Sequence, residues 1–188
     1  MVEEVRKKLS CWLRECKHLC LVAVGNPDRG DDGFGVALGS SLQRELASTD
    51  RVTVVQAHTA PENVIGLIKR VHPSHTIILD AVDAEAPPGT LLLIDPKSCS
   101  ESKLPSTHTI PITTIARYIE REVGTQVLIL GVQPADTTWG SRMSAPVQKA
   151  LSVVLRMLLD VIRHTVGGGS SDSTGSEGTS TGGAVGSM

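Results

Sequence analysis

Apolar positions along the chain follow two periods. Short, β-branched-rich runs almost free of charge, at residues 19–24, 52–56, 76–79, 90–94 and 126–132, read as strands. The first has the unbroken apolar character of a strand buried on both faces of a parallel sheet. Between these runs the spacing changes to i, i+4. Leu38, Leu42 and Leu46 behind Phe34 predict a helix over 33–48, and Ile115, Ile119 and Val123 predict one over 113–123. The stripe Val147, Leu151, Val154, Leu158 and Val161 predicts a long helix over 144–164. Residues 2–16 have helical composition, with Val5, Leu9 and Trp12 on one face. Thr59-Ala60-Pro61-Glu62 has the form of a capping box, a Thr N-cap with Glu three residues on, and opens a helix over 60–71 that ends before Pro73.

Strands that alternate with helices require parallel crossovers. The predicted fold is therefore an α/β single-domain three-layer sandwich, a mostly parallel twisted sheet of about five strands with helices on both faces. Residues 1–18 form a helical extension and 19–165 the α/β domain. The Gly/Ser/Thr-rich residues 166–188 have no apolar period and are predicted to be a disordered tail. The chain of 188 residues is long enough to bury a core without staples.

Charge and aromatic content narrow the function. Lys and Arg total 18 against 20 Asp and Glu, too balanced for a nucleic-acid surface. One Tyr, one Phe and two Trp leave no platform for stacking bases. No apolar run approaches the roughly 20 residues of a membrane span. The opening residues, with Glu3, Glu4, Arg6, Lys7 and Lys8, lack the apolar core of a signal peptide. Cys11, Cys16, Cys20 and Cys99 include no CxxC pair and match no common zinc spacing, so reduced cysteines in a cytoplasmic protein are expected.

Candidate chemistry gathers where the first apolar run stops at Gly25-Asn26-Pro27 and a Gly-flanked acidic turn, Asp28 to Gly33, opens a helix. Ligands of open α/β sheets sit outside the carboxyl ends of the strands. Asp32 follows the first strand, Asp80 the third, and His108 lies in the loop after the fourth, so the three can converge on one rim. Two carboxylates and an imidazole suit a divalent ion such as Ni²⁺, Zn²⁺, Mn²⁺ or Fe²⁺, with positions left open for substrate. Plainer readings stand beside this one: Asp31 as an N-cap, Asp80 as a cap of the following loop, His108 as a solvated loop residue. A phosphate-binding loop is disfavoured, because adjacent carboxylates repel phosphate and the Lys and Ser/Thr of a P-loop are missing.

Gly25-Asn26-Pro27-Asp28-Arg29-Gly30-Asp31-Asp32-Gly33-Phe34-Gly35 resembles the opening motif of the [NiFe]-hydrogenase maturation endopeptidases. Ala60-Pro61-Glu62-Asn63, Leu79-Asp80-Ala81 with Pro88-Gly89, Thr107-His108, and Gly131-Val132-Gln133-Pro134 follow in that family's order and spacing. The likeness spans about residues 19–160 and is greatest to the subgroup that processes hydrogenase-3-type, formate-linked large subunits. It implies that Asp32, Asp80 and His108 contact metal. It also implies an endopeptidase that removes a C-terminal extension from the nickel-loaded large-subunit precursor, with Ni²⁺ supplied by that substrate. Either carboxylate is alternatively a general base in a metal-free mechanism.

One stretch departs from the family's pattern. Where the family carries an acid followed by Gly-rich residues, this chain has Gln56-Ala57-His58-Thr59. Asn26, Asp31, Gln56 and His58 are further rim candidates, His58 either as an extra nitrogen ligand or as a solvent-facing residue. Without glycine at 57 and 58, no positive φ is expected there. A monomer is expected. The departure at Gln56 and His58 keeps open a rival, a non-catalytic assembly factor that checks nickel on the large subunit; a small-molecule metallohydrolase using the same rim is a third, more distant alternative.

Overall fold

The computed structural model describes residues 2–98 and 111–167. The elements in chain order are α1 (Val2–Trp12), β1 (Leu19–Val24), α2 (Phe34–Glu45), β2 (Val52–His58), α3 (Ile65–Val71), β3 (His75–Ala81), β4 (Leu91–Ile94), α4 (Ile112–Val123), β5 (Gln126–Val132) and α5 (Ala145–Thr165). The predicted α/β sandwich is the observed one. Its five strands lie in the order β2-β1-β3-β5-β4, all parallel except β4, which pairs antiparallel with β5 at the edge.

Period-2 alternation along the central strands sends side chains into two cores. Leu19, Leu21, Ile77, Leu79, Leu130 and Val132 face α1, α2 and α5, and Val22, Ile78, Val127 and Ile129 face α3 and α4. Both faces of β1 and β3 are buried throughout, which explains why their sequences read as unbroken apolar runs. Phe34, Leu38 and Leu42 are fully buried where α2 crosses the sheet. Each large side chain removed from water in this way contributes about 1.5–3 kcal/mol.

The capping box at Thr59 does not form. Residues Pro61–Val64 make a 3₁₀ turn with no side-chain cap, and the α-helix starts only at Ile65. The Pro fixes the turn, but the chain tightens before it enters the helix. Residues 99–110 and 168–188 lie outside the described residues, so the expected loop carrying His108, Cys99 and nearly all of the expected tail are not described; Val166, expected to open that tail, is instead fully buried against the core at the end of α5.

At the amino ends of the strands, α1 is fastened by polar groups. Arg51 donates to the carbonyls of Cys16, Lys17 and Val166, tying the entry to β1 and the end of α5 to the entry of β2. Ser74 Oγ accepts the N–H groups of Lys17 and His18 at 2.9 and 3.2 Å. The His75 ring lies edge-on to Trp12, 4.6 Å between centroids, with Nδ1 3.0 Å from Ser74 Oγ. His18 Nε2 lies 2.9 Å from Thr53 Oγ1. Burial lowers the pKa of both His75 and His18 below the ordinary value of 6.5, and Arg51 adds to the effect at His18.

The folded state thus holds fewer protons on these rings than the unfolded chain does near and below that ordinary value. Their contribution is present in full above about pH 6.5 and is lost as pH falls through the lowered values. The unfolding free energy should drop between about pH 7 and pH 5, before most carboxylates titrate. Denaturant melts should show that slope flattened in His18→Gln and His75→Gln.

Candidate functional site

The order β2-β1-β3 makes the gap between β1 and β3 the point where chain connections diverge to opposite sides, the usual place for a ligand crevice. The opening motif is built into that gap. Gly25 ends β1 at φ 128°, and a Cβ there would overlap the carbonyl of Asp32, so the turn closes on itself only with glycine. Gly35 occupies a space between the carbonyls of Val24 and Leu79 where no side chain fits. Helix α2 therefore begins directly over the carboxyl ends of β1 and β3, and the 3₁₀ turn Gly30–Gly33 packs against β3.

This brings Asp32 and Asp80 to one rim. Both are buried, at 3% and 1% exposure. Asp32 Oδ2 accepts the Asn26 N–H at 2.9 Å, and Asp80 Oδ1 accepts the Ala81 N–H at 2.9 Å. Backbone donors fix the orientation of both carboxylates, as outer hydrogen bonds do at metal and catalytic centres. Asn26 shapes the turn: its N–H reaches Asp32, and its Oδ1 accepts the Asp28 N–H at 2.9 Å. Among the described residues no group of three metal-binding side chains occurs. His108 lies outside them.

Asp31 has a different place from its neighbour. It does not cap its own helix. Fully buried, it accepts Ala135 N–H at 2.7 Å, Asp136 N–H at 3.0 Å, Ser144 N–H at 2.6 Å and Ser144 Oγ–H at 2.8 Å. Ser144 is the N-cap of α5, so the N-cap role belongs to a helix more than a hundred positions along the chain. The backbone adds to the clasp: Asp31 N–H donates to Asp136 O at 2.9 Å, Gly140 N–H to Asp28 O at 2.7 Å, and Arg29 Nε–H to Thr137 O at 3.0 Å. Sequence spacing has no signal for such a distant partner.

Gln56 and His58 are not gathered with the two carboxylates. Gln56 turns toward α2, where its Nε2 donates to Ser40 Oγ at 3.3 Å beside Gly39. Asp80 shares the opposite face of the sheet with Ile78 by the alternation of β3. Gln56 Oε1 is buried and meets no donor among the described residues. His58 is exposed with φ 51°, contrary to the expectation of negative φ at this position. The register of β1 on β2 slips between Ala23 and Val24, and the left-handed His58 lets its carbonyl accept the Gly25 N–H at 2.9 Å. Histidine is among the residues that tolerate this conformation better than most.

Gln133, noticed in the sequence only as part of a motif, braces the loop after β3. Its Oε1 accepts the N–H groups of Ala84 and Ala86 at 2.7 and 3.2 Å, and its Nε2 donates to Asp83 Oδ1 at 3.0 Å. That hydrogen bond, followed by the Glu85 N–H, holds the Asp83 carboxyl below the usual carboxylate range. Away from the rim, burial pushes the Cys20 thiol up to about 12 and also raises Cys16, which leaves both as inert core thiols.

In comparisons with known proteins, residues 36–161 match the family described as hydrogenase maturation protease. The hydrogenase 3 maturation protease of Escherichia coli strain K12 is 31% identical over 138 residues, covering 73% of this chain and 86% of the relative. A putative hydrogenase maturation protease of Methanocaldococcus jannaschii is 27% identical over 128 residues, covering 65% and 75%. The solution structure of the endopeptidase HycI from Escherichia coli is similar with a TM-score of 0.67 at 29% identity, covering 80% of this chain and 94% of that one. The crystal structure of a [NiFe] hydrogenase maturation protease HycI from Thermococcus kodakarensis has a TM-score of 0.76 at 24% identity, covering 83% and 99%, and supports the fold.

The tightness of the opening turn predicts the effect of two substitutions. Gly25→Ala forces a Cβ into the Asp32 carbonyl at positive φ and should lower the unfolding free energy by about 2–4 kcal/mol. Ser144→Ala removes one donor to Asp31 and should cost about 1 kcal/mol. Urea melts of the two variants against the parent give both values.

Proposed function

The chain belongs to the hydrogenase maturation protease family, and on that premise we propose that it is the endopeptidase that removes a C-terminal extension from a nickel-loaded [NiFe]-hydrogenase large-subunit precursor. The observation that carries this reading is the pair of buried, backbone-oriented carboxylates, Asp32 and Asp80, at the β1/β3 crevice. Carboxylate oxygens suit a divalent cation, and an imidazole suits nickel. In this reading His108 is the third ligand.

Nickel enters as part of the substrate. Ni²⁺ bound beside the scissile bond would polarise its carbonyl as a Lewis acid. Asp32 and Asp80 select the loaded precursor, since their oxygens complete a metal site only when the metal arrives with the polypeptide. Their burial keeps water scarce and strengthens each electrostatic contact. Free thiols at Cys11, Cys16 and Cys20 are in keeping with work in a reducing cytoplasm. Among the described residues no helix is long and apolar enough to cross a membrane. The protein acts as a monomer on one protein substrate.

The departure at Gln56 favours the rival reading, a factor that binds the loaded large subunit without cutting it. A cleavage assay separates the two, with mass spectrometry following loss of the extension from nickel-loaded precursor. Wild type should cleave, while Asp32→Ala, Asp80→Ala and His108→Ala should each lose at least about 100-fold in rate with little change in melting temperature. Nickel-free precursor should stay intact. Its cleavage at an undiminished rate would assign the carboxylates to general-base chemistry, and a stable complex without cleavage would select the assembly factor.

A further inference from the structure

The loop 133–144 carries a feature that the carboxylate rim does not account for. Trp139, one of only two tryptophans in the chain, is 70% exposed, the most exposed large apolar side chain among the described residues. The loop holds it there. Ser141 N–H and Oγ–H both donate to Thr138 O, at 3.2 and 2.8 Å, which closes a tight turn over Thr138-Trp139-Gly140-Ser141. Gly140 has φ 78° at the third position of that turn, the value of a type II turn, and Trp139 stands at its outer corner.

The turn is locked onto the opening motif by the Gly140 N–H to Asp28 O bond and by the Asp31 clasp at either end of the loop. The indole is thus held in solvent on backbone that is fastened to Asp28 and to Asp31, the chain neighbour of Asp32. Tryptophan is enriched among the few side chains that carry most of the binding energy at protein interfaces. On the same loop, hydrogen bonds from Thr138 keep the Asp136 carboxyl below the usual carboxylate range.

We infer that Trp139 is a docking residue for the precursor polypeptide, stacking on an apolar segment next to the scissile bond and setting affinity for the substrate. This assignment rests on the protease reading above. It makes Trp139 a specificity-determining residue that takes no part in bond cleavage.

Steady-state cleavage of the nickel-loaded large-subunit precursor tests it. Trp139→Ala should raise KM about tenfold or more with kcat within about twofold, and Trp139→Phe should recover most of the loss. Both variants should melt as the parent does, because the side chain supports no packing. In parallel, stopped-flow fluorescence of the Trp12→Phe protein, whose one tryptophan is Trp139, should show a blue shift on mixing with precursor before product appears, and the Trp12→Phe/Trp139→Phe protein mixed with the same precursor should not. An unchanged KM in Trp139→Ala, or a loss confined to kcat, overturns the assignment. So does a dimer of the free protein that Trp139→Ala dissociates, which would give the surface to a second copy. Should the parent fail to cleave, the fluorescence arm decides: a blue shift retains Trp139 as an anchor while the protease reading falls, and no shift removes both.

Discussion

A single buried carboxylate, Asp31, holds the working end of this molecule together. A charge with no access to water is tolerated only when donors replace its hydration. Here three backbone N–H groups and one hydroxyl do so, all from residues 135–144. Two of those donors belong to Ser144 at the start of α5, where the helix dipole favours a negative charge. The bond is long-range in sequence, yet it fixes two loops that have no regular structure of their own for most of their length.

The rim follows from that clasp. With residues 26–33 pinned, the turn places Asp32 over the ends of β1 and β3, and the lack of a side chain at Gly35 lets α2 start against the backbone of both strands. Asp80 needs no such device, since it continues a strand buried on both faces. The two carboxylates thus reach the crevice by different routes, one from a braced turn and one from the sheet. The same clasp pre-organises the loop that carries Trp139, so the opening turn with Asp32 and the loop with the exposed indole are fastened together. Pre-organisation of this kind lowers the ordering cost of binding a partner.

Much of the fold was legible because local and tertiary preferences agree. The runs at 19–24 and 126–132 coincide with β1 and β5; β1 is buried on both faces and has no polar position to blur its ends, and β5 is apolar from Val127 to Val132 after an exposed Gln126. The stripe from Val147 to Val161 gave α5 within a residue at each end. What was missed involves partners distant in sequence. Nothing near Asp31 reveals Ser144, and an N-cap of the adjacent helix was the natural local reading. The positive φ of His58 comes from the slipped register beside Gly25, a property of the β1/β2 pairing. The antiparallel setting of β4 depends on β5 being inserted next to β3. At the rim, strand-end position points to Asp32 and Asp80, and both are buried at the carboxyl ends of β1 and β3, whereas Gln56 lies against α2.

Asp31 and Asp32 are adjacent acids in different settings, one clasped by residues 135–144 and one at the rim, and comparing Asp31→Asn with Asp32→Asn tests that division most directly. The unfolding midpoint and the precursor cleavage rate are measured for both. Asp31→Asn should lose about 3–5 kcal/mol of stability, because an amide cannot accept the same set of donors. Under conditions where it stays folded, its cleavage rate should fall much less than that of Asp32→Asn, since the turn is loosened but Asp32 is still present. Asp32→Asn should unfold close to the parent midpoint and cleave at least about 100-fold more slowly. A stable Asp31→Asn with abolished cleavage, or an active Asp32→Asn with collapsed stability, would contradict the account.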